Sequence, residues 1–539
     1  MHYQKRACVL YSAVLLCLLA LCVKLYFLSC VDNRAMTVLD GQYSGKLNIC
    51  QRSGFIYDRY FCLLSHDKCT DILVVNPSEC NNIYEISQEA AKITSVMRQS
   101  EILEKIHEGV PFTLSVRNDE QAQKLCESYD GLYYCNSYEE NTRTAQHLLG
   151  YSRDNEGITG IRASFNELLY HTLYAINYAT FTDNAANQSM SPLTIHSEAY
   201  DSRDGIVTTI DKELQQFCDR LEGKVKSGCI IVADSTSGEI LALSSFPSYS
   251  IAKLPEYLSS DKGELLNRTV YSYTPGSVFK IIVSAAALES SADYYSFTHN
   301  CTGSIQVDNY TFNCHKQSGH GEISMEQAFA QSCNCYYVAL ARDIGIEEII
   351  STAKKLELDM PIKADFLAET EHRFIDEGND SEGYLANIAI GQGDLCLSPL
   401  DMINVMMCAT TGKTQKLSVV LGEVQNGEII YKNENTEKSV FSEETVCLLC
   451  KMMEECVNTG TGRAAKIEDV RMGGKTATAQ TGRYYGKGVE YVHKWFCGFY
   501  EGIEKRYIFA VLCDNTPENF LSPADVSGDL CRFFKENMY

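Results

Sequence analysis

The sequence predicts an α+β protein whose main domain closes one sheet from distant parts of the chain, preceded by a second domain and one apolar helix. Three observations carry this prediction. An apolar run opens the chain, a period-two hairpin signal lies near residues 228–247, and helical periodicity fills the middle before strand-like segments return at 471–513.

The first element follows Lys5 and Arg6. Ala7 to Val31 contains one charged residue, Lys24, and its 25 residues are enough to span a hydrocarbon core of about 30 Å at about 1.5 Å per residue. Lys24 lies toward the far end, where its stem reaches the interface. SCVDNRAM makes a poor cleavage site, so an uncleaved signal anchor is expected rather than a removed leader. The basic residues before the run put residues 1–6 in the cytoplasm, 7–31 in the membrane and the rest outside.

From 32 to 203 short β-like runs (DILVVN, PFTLSV) alternate with helical ones. In SQEAAKITSVMRQSEILEKIHEG, Ala90, Ile93, Val96 and Met97 recur at helical spacing, which predicts one helix ending at Gly109. The polar stretch HSEAYDSRDG reads as a linker, and a second domain runs from 204 to 539. It opens with a strand entering a helix (GIVTTIDKELQQFCDRLEGKV) and the hairpin GCIIVADSTSGEILALSSFP. Helices are expected after Pro275, through 324–360 and through 398–411.

Composition narrows the function. The 47 Lys+Arg against 70 Asp+Glu give a net charge of −23, without any basic run of five or more, which argues against nucleic acid. The 24 cysteines are scattered through 539 residues, so a small disulfide-stapled scaffold is excluded.

The chemistry begins at YTPGSVFKIIVSAAALE. A Pro275-Gly276 turn precedes Ser277, and the apolar run that follows is helix-compatible. Ser277 then lies at a helix N-terminus with Lys280 three residues on, sharing one face about 5–6 Å apart at Cβ. A serine nucleophile and a lysine base fit that geometry if burial frees the amine. Ser-x-x-Lys alone is cheap, and Ser65-His66-Asp67-Lys68 is a decoy. Two further pieces single out the first copy. Ser332-Cys333-Asn334 lies 55 residues beyond Ser277, and Lys475-Thr476-Ala477 lies 141 residues beyond Asn334, entering a strand. Lys413-Thr414, in a polar turn, is the matching decoy.

With these three motifs the chain resembles a class B penicillin-binding protein, a serine D,D-transpeptidase that cross-links peptidoglycan. Further matching segments are Arg52–Arg59, Gly150-Tyr151 with Gly160-Ile161 and Phe165-Asn166, Thr208–Asp211, Gly238–Ala242, Asn267-Arg268, Gly391-Gln392-Gly393 and Trp495–Phe499. The resemblance implies a penicillin-binding transpeptidase fold at 204–539: a central antiparallel sheet with helices on both sides plus an all-helical subdomain. It also implies an elongated pedestal domain at 32–203. The glycosyltransferase domain of class A relatives finds no match.

By the same resemblance Ser277 attacks the D-Ala-D-Ala carbonyl of a stem peptide with Lys280 as base, and the backbone N–H groups of Ser277 and Thr478 hold the oxyanion. Ser332 relays a proton to the leaving D-Ala, Asn334 holds the donor amide, and Lys475, Thr476 and Thr478 bind the substrate's carboxylate end. β-Lactams are the expected inhibitors, and a polytopic glycosyltransferase the expected membrane partner. One departure is Ala477, where the family usually carries glycine; altered geometry or β-lactam affinity is expected there, not lost catalysis. A rival class of function is a non-catalytic β-lactam sensor, or a scaffold of the division or elongation machinery. A sensor would bring several membrane spans and a signalling domain, which this sequence does not carry.

Between the first two motifs, Cys301, Cys314, His315 and His320 fall within twenty residues. Zinc held by Cys301, Cys314 and His320, with His315 or Cys333 as fourth ligand, is one reading. A Cys301–Cys314 disulfide and unbonded thiols are the others. No cofactor is otherwise required.

Overall fold

The computed structural model of the chain describes residues 15–16, 18–21, 24, 43–182, 189–190 and 202–539, apart from 95, 118, 141–143, 171–173, 433–435, 486–487 and 518–521. The apolar run at 7–31 lies largely outside the described residues. Among those described, no helix is long and apolar enough to cross a membrane.

The chain divides into two units. The first comprises Met1–Ser53, Lys68–Glu139 and Thr172–Ser202; the second comprises Gly54–Asp67, Glu140–His171 and Arg203–Tyr539. Two stretches within 32–203, Gly54–Asp67 and Glu140–His171, cluster with the second unit. Their residues explain why. Phe55–Tyr57 pairs in parallel with Gly205–Thr208, and Leu148, Leu149, Ile161 and Leu169 are buried in the second unit's main core.

In the first unit, His66–Val75 is the middle strand between Phe112–Ser115 and Leu132–Glu140. Leu73, Val75 and Leu114 share a core with Ile86, Ile93, Ile102 and Ile106. The single helix predicted to end at Gly109 is two, Ile83–Ile93 and Gln99–Glu108. Thr94 breaks it: the residue bridges to Val116, and its hydroxyl donates to Ser115 O at 2.9 Å. A β-branched side chain with a strand carbonyl in reach favours extended backbone over another helical turn.

The second unit carries the chemistry. In chain order its main elements are α1 (Lys212–Arg220), strands β1 (Gly228–Asp234) and β2 (Ile240–Phe246), and α2 (Lys280–Leu288). Next come α3 (Met325–Ala330), α4 (Asn334–Ile344), α5 (Pro399–Thr411) and α6 (Glu443–Asn458). Strands β3 (Met472–Tyr485), β4 (Val489–Glu501) and β5 (Arg506–Pro517) and helix α7 (Pro523–Glu536) complete it. The five strands form an antiparallel sheet in the order β2-β1-β5-β4-β3, so the last part of the chain closes against the first hairpin.

The uniformly apolar strands are explained by burial on both faces. Along β1, Cys229, Ile231 and Ala233 enter one core while Ile230 and Val232 enter the other; along β5, Ile508, Ala510 and Leu512 alternate likewise with Phe509, Val511 and Cys513. The first core also takes up α2 and α5, and the second holds residues of α1 and α7. β3 is left as an edge strand.

Candidate active site

Gly276–Phe279 forms a 3₁₀ turn that runs directly into α2. Gly391 permits the approach that holds this turn: its carbonyl accepts from Gly276 N–H at 2.8 Å, and a Cβ on Gly391 would meet Gly276 O at 2.0 Å. Because α2 is buried along nearly its whole length, Lys280 starts inside the core while Ser277 remains half-exposed.

Lys280 is fully buried. Its Nζ lies 2.9 Å from Ser277 Oγ and donates to Asn334 Oδ1 at 2.7 Å and Ser332 O at 3.2 Å. Burial first, and the charge of Lys475 second, push its pKa well below the ordinary lysine value. That shift favours the free amine, whose lone pair can take the Ser277 hydroxyl proton.

Ser332 follows α3 in the left-handed region, with φ 54, a conformation costing roughly 1 kcal/mol or more for a non-glycine residue. Its N–H donates to Phe329 O at 3.1 Å, and its Oγ lies 3.4 Å from Lys280 Nζ and 3.0 Å from Lys475 Nζ. Asn334 is the first residue of α4; its Nδ2 donates to Asn313 O at 3.1 Å. Lys475, on β3, is fully buried and also donates to Thr476 O at 2.9 Å; burial lowers its pKa to about 8.

Ser277, Ser332, Asn334, Thr476 and Thr478 line one cavity of about 380 Å³, with the two lysines beneath its wall. A larger recess of about 900 Å³, beside Asp58 and Lys505, contains none of these groups. Ala477 lines the catalytic cavity too, only 6% exposed and in register with Trp495 on β4. Trp495 supports the turn that carries Ser277: its indole N–H donates to Thr274 O at 3.2 Å.

Both decoys are structural. Ser65 Oγ accepts from Ile56 N–H at 3.0 Å and pairs with His66 Nδ1 at 2.7 Å, while Thr414 donates to Asn404 Oδ1 at 2.8 Å. Neither borders the cavity.

The thiol and imidazole groups converge behind Ser332. Ligand atoms of Cys301, Cys314, His320 and Cys333 all lie within 4.8 Å of one another. Cys314 Sγ is 3.5 Å from His320 Nδ1 and 3.9 Å from Cys333 Sγ. Hydrogen bonding from the neighbouring thiols, Cys333 first, drives Cys314 toward thiolate, while the same contact holds Cys333 protonated. His320 Nε2 is buried without a partner. His315 is exposed and borders the catalytic cavity, so of the two alternatives for a fourth ligand Cys333 joins the cluster. Cys301 and Cys314 are both free thiols.

One lining residue escapes the motif search. Thr461, in the Thr459-Gly460-Thr461-Gly462 turn after α6, brings its Oγ1 to 2.5 Å from Thr476 Oγ1. Nothing in its spacing marks it; the contact arises only when α6 packs beside β3.

Residues 228–529 match the family model for the penicillin-binding protein transpeptidase domain. Over 522 residues the chain is 26% identical to stage V sporulation protein D of Bacillus subtilis, covering 90% of this chain and 77% of that protein. It is 22% identical over 322 residues to the peptidoglycan D,D-transpeptidase MrdA of Acinetobacter baumannii, covering 54% of this chain and 48% of that protein. The crystal structure of the D,D-transpeptidase domain of a peptidoglycan glycosyltransferase from Eggerthella lenta superimposes with a TM-score of 0.64 at 20% identity, covering 90% of this chain and 99% of that one. With the matched region spanning more than half of its length, the chain belongs to the penicillin-binding protein transpeptidase family.

Proposed function

We infer that this protein is a peptidoglycan D,D-transpeptidase working through a serine acyl-enzyme. The observation that carries this reading is the buried Lys280 amine, 2.9 Å from Ser277 Oγ, with Ser332 between it and Lys475.

Ser277 Oγ attacks the carbonyl between the two terminal D-alanines of a donor stem as its proton passes to Lys280 Nζ. The N–H groups of Ser277 and Thr478 hold the oxyanion; single donors of this kind are typically worth about 10²–10³ in rate. The C–N bond then breaks, and Ser332 relays a proton from the lysine side to the departing D-Ala amine. An amine of a neighbouring stem attacks the acyl-enzyme, gives up its proton to Lys280 and forms the cross-link, returning the proton to Ser277. Asn334 holds the donor's amide through Nδ2, while Lys475 supplies positive charge for the carboxylate end with Thr476 and Thr478 as donors. A β-lactam acylates Ser277 by the same path but leaves no amine to depart. Ser277→Ala should lose all covalent labelling by fluorescent penicillin while keeping its melting curve; normal labelling of that variant would overturn the site.

The 7–31 run as membrane anchor, the pedestal role of the first unit and a polytopic glycosyltransferase as partner belong to this reading, with the body outside the cytoplasm. They rest on the sequence and on family resemblance.

We also assign the Cys301–Cys314–His320–Cys333 group as a structural zinc site. Zn–S near 2.3 Å and Zn–N near 2.0–2.1 Å put tetrahedral ligand atoms roughly 3.3–3.8 Å apart, close to the 3.5 and 3.9 Å separations at Cys314. Three clustered thiols with one driven toward thiolate are a suitable donor set. Bound zinc would tie the 301–320 segment to Cys333, between the catalytic Ser332 and Asn334. One zinc per chain, lost with a fall in melting temperature in Cys301→Ser, is expected; substoichiometric zinc indifferent to that substitution would remove the site.

A further inference from the structure

We propose that the strand Glu428–Tyr431 is a self-association edge, which pairs antiparallel with the same strand of a second copy of this chain. The strand ends a four-stranded sheet in the order Phe55–Tyr57, Gly205–Thr208, Val420–Gln425, Glu428–Tyr431. Its hairpin with Val420–Gln425 is closed by Asn426 and Gly427, at φ 52 and 78. A two-residue turn of that kind makes Gln425 and Glu428 a hydrogen-bonded pair, and bonded pairs then recur at every second residue. Glu423 with Ile430 is the next, and Lys432 N–H donating to Leu421 O at 2.8 Å continues the series. Ile429 and Tyr431 therefore turn their N–H and C=O groups outward. Among the described residues no other hydrogen bond takes those groups up.

Proteins commonly blunt such an edge with charge, proline or a covering segment. Here its exposed side chains include two large apolar ones, Ile430 at 55% and Tyr431 at 62% exposure. The flanking charges have opposite signs, Glu428 before and Lys432 after, at equal distances along the chain from Ile430. That symmetry names the occupant. On a two-fold axis through Ile430, a second copy sets Ile430 against Ile430 and Glu428 against Lys432 on both sides. Ile429 then opposes Tyr431, and their outward groups bond each other in both directions. Sliding the pairing by two residues, whichever way, puts a charge opposite Ile430 instead. Glu428 is exposed, and Lys432 Nζ lies 3.9 Å from Asp365 Oδ1 with its side chain 43% exposed, so both charges are within reach of a second copy. So short a strand pair buries less than the roughly 800 Å² per partner of a standard interface, and the expected dimer is weak and concentration-dependent.

The test is sedimentation of the full chain in detergent over a range of concentrations. A monomer–dimer equilibrium is expected, weakened about tenfold or more by Ile430→Lys, which sets two like charges on the axis. Glu428→Lys should weaken it too, and combining Glu428→Lys with Lys432→Glu should restore it, which a merely disturbed hairpin would not do. Where Ile430→Lys fails to fold, cross-linking decides. Under mild oxidation Ile430→Cys should gain a disulfide-linked dimer, because facing residues of a non-bonded pair lie about 4.5 Å apart at Cα, and Tyr431→Cys should not. A monomer at every concentration, a dimer indifferent to Ile430→Lys, a charge swap that restores nothing, or equal cross-linking at both positions overturns the assignment.

Discussion

Two buried lysines reach Ser332 from opposite sides, and their surroundings differ. Lys280 stands at the start of a buried helix with four oxygen atoms within 3.4 Å of Nζ. Lys475 stands on an edge strand with two, Ser332 Oγ and Thr476 O. Both side chains are fully buried, so burial alone does not separate their roles. Burial first and the charge of Lys475 second push Lys280 well below the ordinary lysine value, while burial lowers Lys475 to about 8. The shift favours the free amine at Lys280 more than at Lys475. Under the proposed mechanism, this contrast suits Lys280 to the base's part and Lys475 to attracting an anion.

The largest test of that contrast is Lys280→Met. Losing the base should slow acylation by roughly 10²–10⁴, while removing a buried amine leaves the melting temperature equal or higher. Acylation within tenfold of the parent would mean that Lys280 is not the base. Lys475→Met should act on a different quantity. Benzylpenicillin should lose about 10–100-fold and its methyl ester much less, and equal losses would tie Lys475 to Ser332 rather than to the ligand carboxylate.

The pH dependence sharpens the same comparison. Because the folded Lys475 value is depressed, the cation is present below about 8 and lost above it. The preference for benzylpenicillin over its ester should therefore fall as pH rises through 8; a preference that is flat from 7 to 9 would contradict a charged Lys475. Stability moves the opposite way. Between about 8 and the unfolded value of 10.5 the unfolded chain holds more protons, so this lysine's contribution to stability rises with pH. The smallest effect belongs to Ala477→Gly, which removes one methyl from the cavity and should shift acylation rates by no more than about tenfold. A loss of labelling there would show that the methyl is part of the catalytic geometry.

Much of the site is legible in sequence because its parts are local. Ser277 and Lys280 share a helical face at a spacing of three, and a Pro-Gly turn with an apolar run announces a buried helix start. The hairpin at 228–246 is legible for the same reason, its turn residues sitting between two apolar runs. The thiol and imidazole cluster was partly legible: Cys301, Cys314 and His320 lie close in the chain, but choosing Cys333 over His315 required seeing which side chain turns inward. The break at Thr94 was not legible, since helical periodicity continues through it and the contacts that hold Thr94 extended, to Ser115 and Val116, come from a separate strand segment.

From its residues alone the chain determined the three motifs, their order, and strands apolar enough to be buried on both faces. These follow from short-range geometry, where residue type and spacing suffice. Only the tertiary structure decided that Thr461 stands beside Thr476, that Cys333 joins the thiol and imidazole cluster, and that Lys475 lies close enough to Lys280 to disfavour its charge. Each of those depends on distances between segments tens to hundreds of residues apart, and on how much water the closed sheet excludes from them.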